Sequence, residues 1–244
     1  MFGLSEYFVT CLGLATDTTN RARQNDEMSQ HDHAGHGHGH DQDRGLRGFV
    51  RYLKMLPKMW RSPVSREVVR SIAPQPGERV VDIGAGMGPA TVLAAKAGAS
   101  VLAVDPTPYM RRILGVRRLG QRGRAAIHVA DGAAEAIPAD DHSVDALWTV
   151  NTMHHWTDLD TAVNELARVL RPGGRLLLVD EDFDAPAHPA FVHMQERKAH
   201  RARHFTEIDP ASVEAKLMAA GFANVEGSNG SMAARPVKMV RATR

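Results

Sequence analysis

Asp82, Gly84, Gly86 and Gly88 stand in the pattern D-x-G-x-G-x-G, and Asp105 follows 21 residues after Gly84. Glycines at this spacing allow a tight turn and let a ligand approach the backbone at a helix N-terminus. A carboxylate at the end of the next strand can accept both hydroxyls of a ribose. The chemistry implied is the capture of a nucleoside cofactor. Further along, His154 and His155 precede Trp156, and Glu181 and Asp182 close an apolar run. These are the groups near the expected site that could move a proton, and histidine is the best tuned of them near neutral pH. The same histidines could equally brace a loop or pack beside Trp156.

A second set of imidazoles lies in HDHAGHGHGH, where His31, His33, His36, His38 and His40 alternate with small residues. Interleaved glycine would let them converge weakly on zinc, nickel or copper. A folded zinc site places its ligands on rigid elements at set spacing, which this segment lacks. His188, His193, His200 and His204 form no HExxH-like pattern either, so no metal is expected in the core.

Positioning the glycines and Asp105 requires alternating strands and helices. Val80–Ile83 is a short apolar strand, Gly84–Gly88 the turn, Pro89–Ala97 an alanine-rich helix and Ser100–Val104 a second strand. Strand, glycine turn, helix and strand make a βαβ unit with parallel pairing. Further strands are expected at Ala125–Ala130, Ala146–Val150 and Arg175–Asp180, with a helix near Asp158–Leu170. Asp209 and Pro210 open another helix that Gly221 closes, and short strands near Ala223–Glu226 and Pro236–Arg241 follow. The expected fold is α/β, a doubly wound, mostly parallel seven-stranded sheet with helices on both faces. Ahead of it, residues 1–45 read as a flexible His-rich extension. Residues 46–75 read as a helical cap whose first part is amphipathic, with Phe49, Tyr52 or Leu53, Leu56 and Met59 or Trp60 on one side. The main domain then spans 76–244, with a substrate-shaping insertion at about 186–208.

The 244 residues carry 43% hydrophobic content, enough for a sizeable core and too much for wholesale disorder. Cys11 is the single cysteine, which excludes an intrachain disulfide framework. No apolar run reaches the 18 or more residues of a spanning helix. The first fifteen residues lack a basic stretch, so no secretory signal is expected and the setting is cytoplasmic. A net charge of +2 conceals segregation, since Arg111, Arg112, Arg117, Arg118, Arg122 and Arg124 fall within fourteen residues that contain no acid. Such a stripe reads first as a solvated helix face, and only second as an anion-binding surface. With no accompanying zinc knuckle or RNP-like aromatic motif, nucleic acid is not an expected partner.

The glycine spacing separates two cofactors. A dinucleotide fingerprint starting at Gly84 requires Gly or Ala at position 89, where Pro89 stands, and no Ser or Tyr-x-x-x-Lys pair is recognisable. D-x-G-x-G-x-G instead resembles motif I of the class I S-adenosylmethionine-dependent methyltransferases. The AEAIP segment, the HH-W after the fourth strand and RVLRPGGRLLLVDE resemble the small-molecule branch labelled methyltransferase type 11, over about residues 78–182. The resemblance implies S-adenosylmethionine as cofactor and a small-molecule methyl acceptor, of hydrophobic or aromatic character given the Met-rich cap. It also implies roles. Asp82 and the loop Gly84, Ala85, Gly86 and Gly88 would hold the methionine portion, and Asp105, followed by Pro106, the ribose. Asp131 lies two residues before the position where relatives often carry an aspartate, while Gly132 and Ala133 would meet adenine through their backbone. Asn151 would border the methionine moiety, and His155 or His154 would serve as base. A non-catalytic cofactor-binding or metal-responsive protein on the same fold, or an NAD-dependent oxidoreductase, are the alternatives. The sequence leaves a homodimer open.

Overall fold

The computed structural model describes residues 60–196 and 206–244, all within the unit Gln42–Arg244. The His-rich segment, the cap's first helix and residues 197–205 of the insertion lie outside the described residues.

Seven strands form one sheet: β1 (Arg79–Ile83), β2 (Ser100–Val104), β3 (Ile127–Ala130), β4 (Val144–Val150), β5 (Leu170–Glu181), β6 (Ala223–Met232) and β7 (Arg235–Thr243). Their order is β3-β2-β1-β4-β5-β7-β6. The pairs from β3 through β5 are parallel, and β7 runs antiparallel to both β5 and β6. The chain enters at β1, winds out to β3 and returns to β4. The crevice between β1 and β4 is therefore the switch point at which doubly wound sheets bind ligands.

Helices α1 (Pro63–Ile72), α2 (Pro89–Lys96), α3 (Pro108–Leu119), α4 (Leu159–Val169), α5 (Phe191–Gln195) and α6 (Pro210–Ala219) complete the fold. Strand residues alternate between two apolar cores, because successive side chains leave opposite faces. Val80, Val101, Trp148, Leu177 and Val179 pack with Val64 and Val68 of α1 and with α2. Val81, Leu147, Leu176 and Leu178 pack with Val163 and Leu166 of α4 and Leu217 of α6. Burial on both faces explains why the parallel strands read as continuous apolar runs. Side-chain caps begin three helices: Asp209, as expected, accepts from Ala211 and Ser212, Asp158 from Asp160 and Thr161, and Ser62 from the Ser65 N–H.

Three expectations need correcting. The sixth strand runs to Met232, well past Glu226, because Ala233 and Ala234 adopt φ of 51° and 56° and close a two-residue hairpin onto Arg235. Such turns ordinarily announce themselves with Asn-Gly or Asp-Gly. The fifth strand starts at Leu170, and the Pro172-Gly173-Gly174 stretch is absorbed by a register shift between the Val144–Leu170 and Ala146–Arg175 pairs. The arginine stripe is also only partly a solvated face. Arg117 is buried, donates to the carbonyls of Met87 (2.7 Å) and Trp60 (2.9 Å) and stacks on the Trp60 ring at 4.2 Å. Burial pulls its pKa down to about 10, so it remains a cation at neutral pH. Arg118 donates to the Ile127 carbonyl, while Arg112, Arg122 and Arg124 remain exposed.

Candidate active site

The carboxyl ends of β1, β2, β4 and β5 converge on the switch point, and four acidic side chains meet there, each fastened differently. Gly84, Gly86 and Gly88 have φ of 66°, 53° and 74°, which side-chain-bearing residues rarely adopt. A Cβ on Gly84 would collide with the side chain of Thr152, and one on Gly88 with Leu114. At Gly86 a Cβ would meet nothing nearer than the Gly84 carbonyl at 4.0 Å. The loop is thus sealed by protein at both ends and open in the middle. That opening leaves the Gly86 backbone uncovered by side chains.

Asp82 lies beneath the loop, 2% exposed, and accepts the Thr91 hydroxyl at 2.6 Å. Burial pushes its pKa up to about 7, against the pull of that hydrogen bond. It braces the first turn of α2 against the loop. Asp105, 6% exposed, accepts the N–H of Gly86 at 2.8 Å and that of Thr107 at 2.9 Å. Burial raises its pKa as well, with the two amide bonds opposing. Ala85 is anchored by its own N–H to the Val104 carbonyl at 3.0 Å, and Pro106 stands half-buried where β2 ends. Among the described residues, neither Asp82 nor Asp105 has an arginine or lysine at ion-pair distance from its carboxylate.

Asp131, by contrast, is exposed and held in a two-point pair by Arg111, at 2.8 and 3.0 Å. Arg111 also donates to the Asp105 carbonyl at 2.8 Å, so this arginine ties the end of β3 to the end of β2. Gly132 and Ala133 follow in a tight bend that Ala133 closes by bridging to Ala136.

On the other side of the crevice, Asn151 adopts φ of 59° at the exit of β4. Its amide donates to Glu181 Oε1 at 2.9 Å and its oxygen accepts the Glu181 N–H at 2.7 Å. Glu181 also takes His188 Nε2 at 2.9 Å and Arg235 at 2.7 Å. Burial raises the Glu181 pKa, but Arg235, His188 and Asn151 outweigh it and carry the group below its ordinary value. His188 Nδ1 accepts the Ala190 N–H at 3.0 Å, so Nε2 carries the hydrogen that it gives to Glu181. His188 therefore fastens the segment after β5 to the sheet.

The turn Met153–His155 follows β4, and Asp180 organises it. This carboxylate, 4% exposed, accepts the N–H groups of Thr152 (2.9 Å), Met153 (3.3 Å) and His154 (3.2 Å). It also meets His154 Nδ1 at 2.6 Å. The His155 ring lies 4.2 Å from that of His154 at an interplanar angle of 49°. Sequence reasoning named both histidines but missed Asp180 and Thr152. The one available signal was the acid run V-D-E-D at the end of β5, in which nothing distinguishes the residue that turns inward. Among the described residues no three His, Cys, Asp or Glu side chains could hold a metal ion together. His31, His33, His36, His38 and His40 lie outside them. No helix of the described residues is long and apolar enough to cross a membrane.

Comparison with known proteins agrees with this geometry. A family model described as a methyltransferase domain matches residues 81–178. An uncharacterised methyltransferase of Mycobacterium tuberculosis is 44% identical over 113 residues, covering 46% of this chain and 44% of that protein. The match thus spans less than half of that relative's length. A demethylmenaquinone methyltransferase of Clavibacter sepedonicus is 30% identical over 192 residues, covering 70% of this chain and 75% of the relative. Among solved structures, a SAM-dependent methyltransferase from Aquifex aeolicus has the same fold, with a TM-score of 0.59 at 20% identity over 82% of this chain and 99% of that one. Both the motif at Asp82–Gly88 and these relatives place the chain in one family: it belongs to the class I S-adenosylmethionine-dependent methyltransferases.

Proposed function

We propose that the protein holds S-adenosylmethionine across the carboxyl ends of β1 to β4 and transfers its methyl group to a small hydrophobic or aromatic acceptor. One observation carries the reading. The open middle of the glycine loop lies beside Asp82 and Asp105, two buried carboxylates fastened by neutral donors. A ligand that brings both positive charge and a ribose answers both. Bound there, the cofactor supplies an electrophilic methyl group on a positively charged sulfur. Each Asp105 oxygen accepts one amide and keeps a further lone pair for a ribose hydroxyl. Gly132 and Ala133 offer backbone to the adenine, with Asp131 steadied by Arg111 at its rim. Asn151, locked to Glu181, borders the methionine end. In-line displacement at a methyl group depends largely on orienting the acceptor, and rigid strand ends serve that purpose.

Support for a hydrophobic aromatic acceptor comes from the relative named for demethylmenaquinone. The same reading sets the enzyme in a bacterial cytoplasm, acting on small molecules with no nucleic acid involved. It leaves room for a homodimer, which light scattering across concentrations will reveal. The first experiment is titration calorimetry with S-adenosylhomocysteine, with NAD as the control. Heat from S-adenosylhomocysteine and none from NAD is expected; the reverse pattern, or silence from both, removes this reading.

A further inference from the structure

We infer that Arg117 is a positioning residue for the cofactor, and that through it the seat of Trp60, ahead of α1, is coupled to cofactor binding. The inference rests on the methyltransferase reading above and adds to it how the glycine loop is held in shape. The three buried residues of α3, Met110, Leu114 and Arg117, recur at steps of four and three and so share one helix face. All three meet the loop. Met110 packs on Met87, while Leu114 packs on Ala85 and fills the space a side chain at Gly88 would need. Arg117 donates to the Met87 carbonyl at 2.7 Å. The Gly86 N–H is taken by Asp105 at 2.8 Å. These two bonds bracket the Gly86–Met87 peptide, which starts at the loop glycine whose Cβ position is open. A ligand entering there meets a peptide whose direction is already set from both sides.

Holding a carbonyl in this way is costly. Arg117 is 9% exposed, and among the described residues no carboxylate lies at ion-pair distance from it. Its Nε is buried without a hydrogen-bond partner. Beyond Met87, its contacts are the Trp60 carbonyl at 2.9 Å and the Trp60 ring, whose centroid is 4.2 Å away. A buried cation answered by carbonyls and a ring carries a desolvation cost that an apolar side chain would not. Stability alone therefore does not call for arginine at this position. What arginine does, and an apolar residue cannot, is hold carbonyls of two separate segments on one rigid fork. One carbonyl belongs to the cofactor loop, and the other lies two residues before Ser62, the cap of α1. A ligand that favours the held shape of the loop then favours the Trp60 seat as well, and the coupling is reciprocal.

The test titrates S-adenosylhomocysteine into the full chain by calorimetry, with a thermal melt of each variant alongside. R117M should melt close to wild type, since removal of a buried charge offsets the lost hydrogen bonds, yet bind S-adenosylhomocysteine about 10-fold more weakly. R117K keeps the charge but serves only one carbonyl well, so its affinity should fall between those of wild type and R117M. W60A removes the ring on which Arg117 stacks and should weaken binding about threefold. The R117M/W60A double variant should be no weaker than R117M, because both changes act through one contact. Wild-type affinity in a folded R117M overturns the inference, as do losses that multiply in the double variant. Should R117M fail to fold, R117K and W60A carry the test, and wild-type affinity in both overturns it. Failure of wild type to bind S-adenosylhomocysteine would instead strike the cofactor reading on which the role of Arg117 depends.

Discussion

At both ends of the parallel sheet arginines hold acids, Arg111 on Asp131 and Arg235 on Glu181 at the carboxyl ends, but two carboxyl-end acids, Asp82 and Asp105, differ from the pairs at the amino ends. At the amino ends, Glu78 is gripped by Arg175 at 2.6 and 3.0 Å, and Asp145 by Arg171 and the Arg79 N–H. The Arg175 hydrogen bond holds Glu78 below its ordinary value, and at Asp145 the Arg79 N–H and Arg171 outweigh a burial that pushes upward. At the carboxyl ends, Asp82 and Asp105 are buried with only a hydroxyl and amides for company, and both rise. Paired acids at one end close the fold. Asp82 and Asp105, without an arginine or lysine at ion-pair distance among the described residues, are the two carboxylates on which the proposed cofactor site is built.

Substitutions can break that contrast, beginning with the most severe. G86V should abolish cofactor binding by filling the one open stretch of the loop, while the protein still melts cooperatively. Retained S-adenosylhomocysteine heat in this variant would show that the ligand does not enter over Gly86. D82N should reveal the cost of the buried charge. Because the folded protein holds this proton up to about pH 7, wild type loses stability as pH rises from the ordinary carboxylate range toward 7, and D82N does not. The variant should therefore be more stable than wild type at pH 8, by roughly 2–4 kcal/mol, with the gap narrowed at pH 5 and closing as pH falls toward the ordinary carboxylate value. Equal melting temperatures at both values would mean that Asp82 is ionised at little cost. D105A should weaken cofactor binding by about 2 kcal/mol through lost charge-assisted hydrogen bonds, and calorimetry that finds no change takes Asp105 out of the ribose site. At the opposite end, E78Q should cost under about 1 kcal/mol, because the pair is partly exposed to solvent, and should leave cofactor affinity unaltered. A drop in affinity there would show the two ends to be coupled.

What could be read ahead of the structure was local. The glycine spacing, the helix starts near Asp158 and at Asp209 and the apolar strands each lie within a few residues, where composition and period carry the information. The glycine turn and its link to Asp105 were legible for the same reason, because Asp82 to Gly88 is one turn and Asp105 follows one helix later. The partnership of Asp180 with His154 was not. It links residues 26 apart and exists only once Val150 lies beside Val179 in the parallel register. Arg117 escaped notice differently: six arginines in a row look alike, and which one turns inward depends on where the Met87 and Trp60 carbonyls lie. The hairpin at Ala233–Ala234 offered no turn residue at all.

The place of β7 in the sheet has a consequence for how the molecule is assembled. β6 precedes β7 in the chain yet is seated outside it, and among the described residues β7 is its only neighbouring strand. During synthesis β6 has no partner until the next strand has been made, and it joins the sheet through that strand. The strand made first is thus the one seated farther out at this edge. A ribosome that stalls after residue 234 releases a chain short of two strands instead of one, with the long edge of β5 uncovered and able to recruit a strand from another molecule.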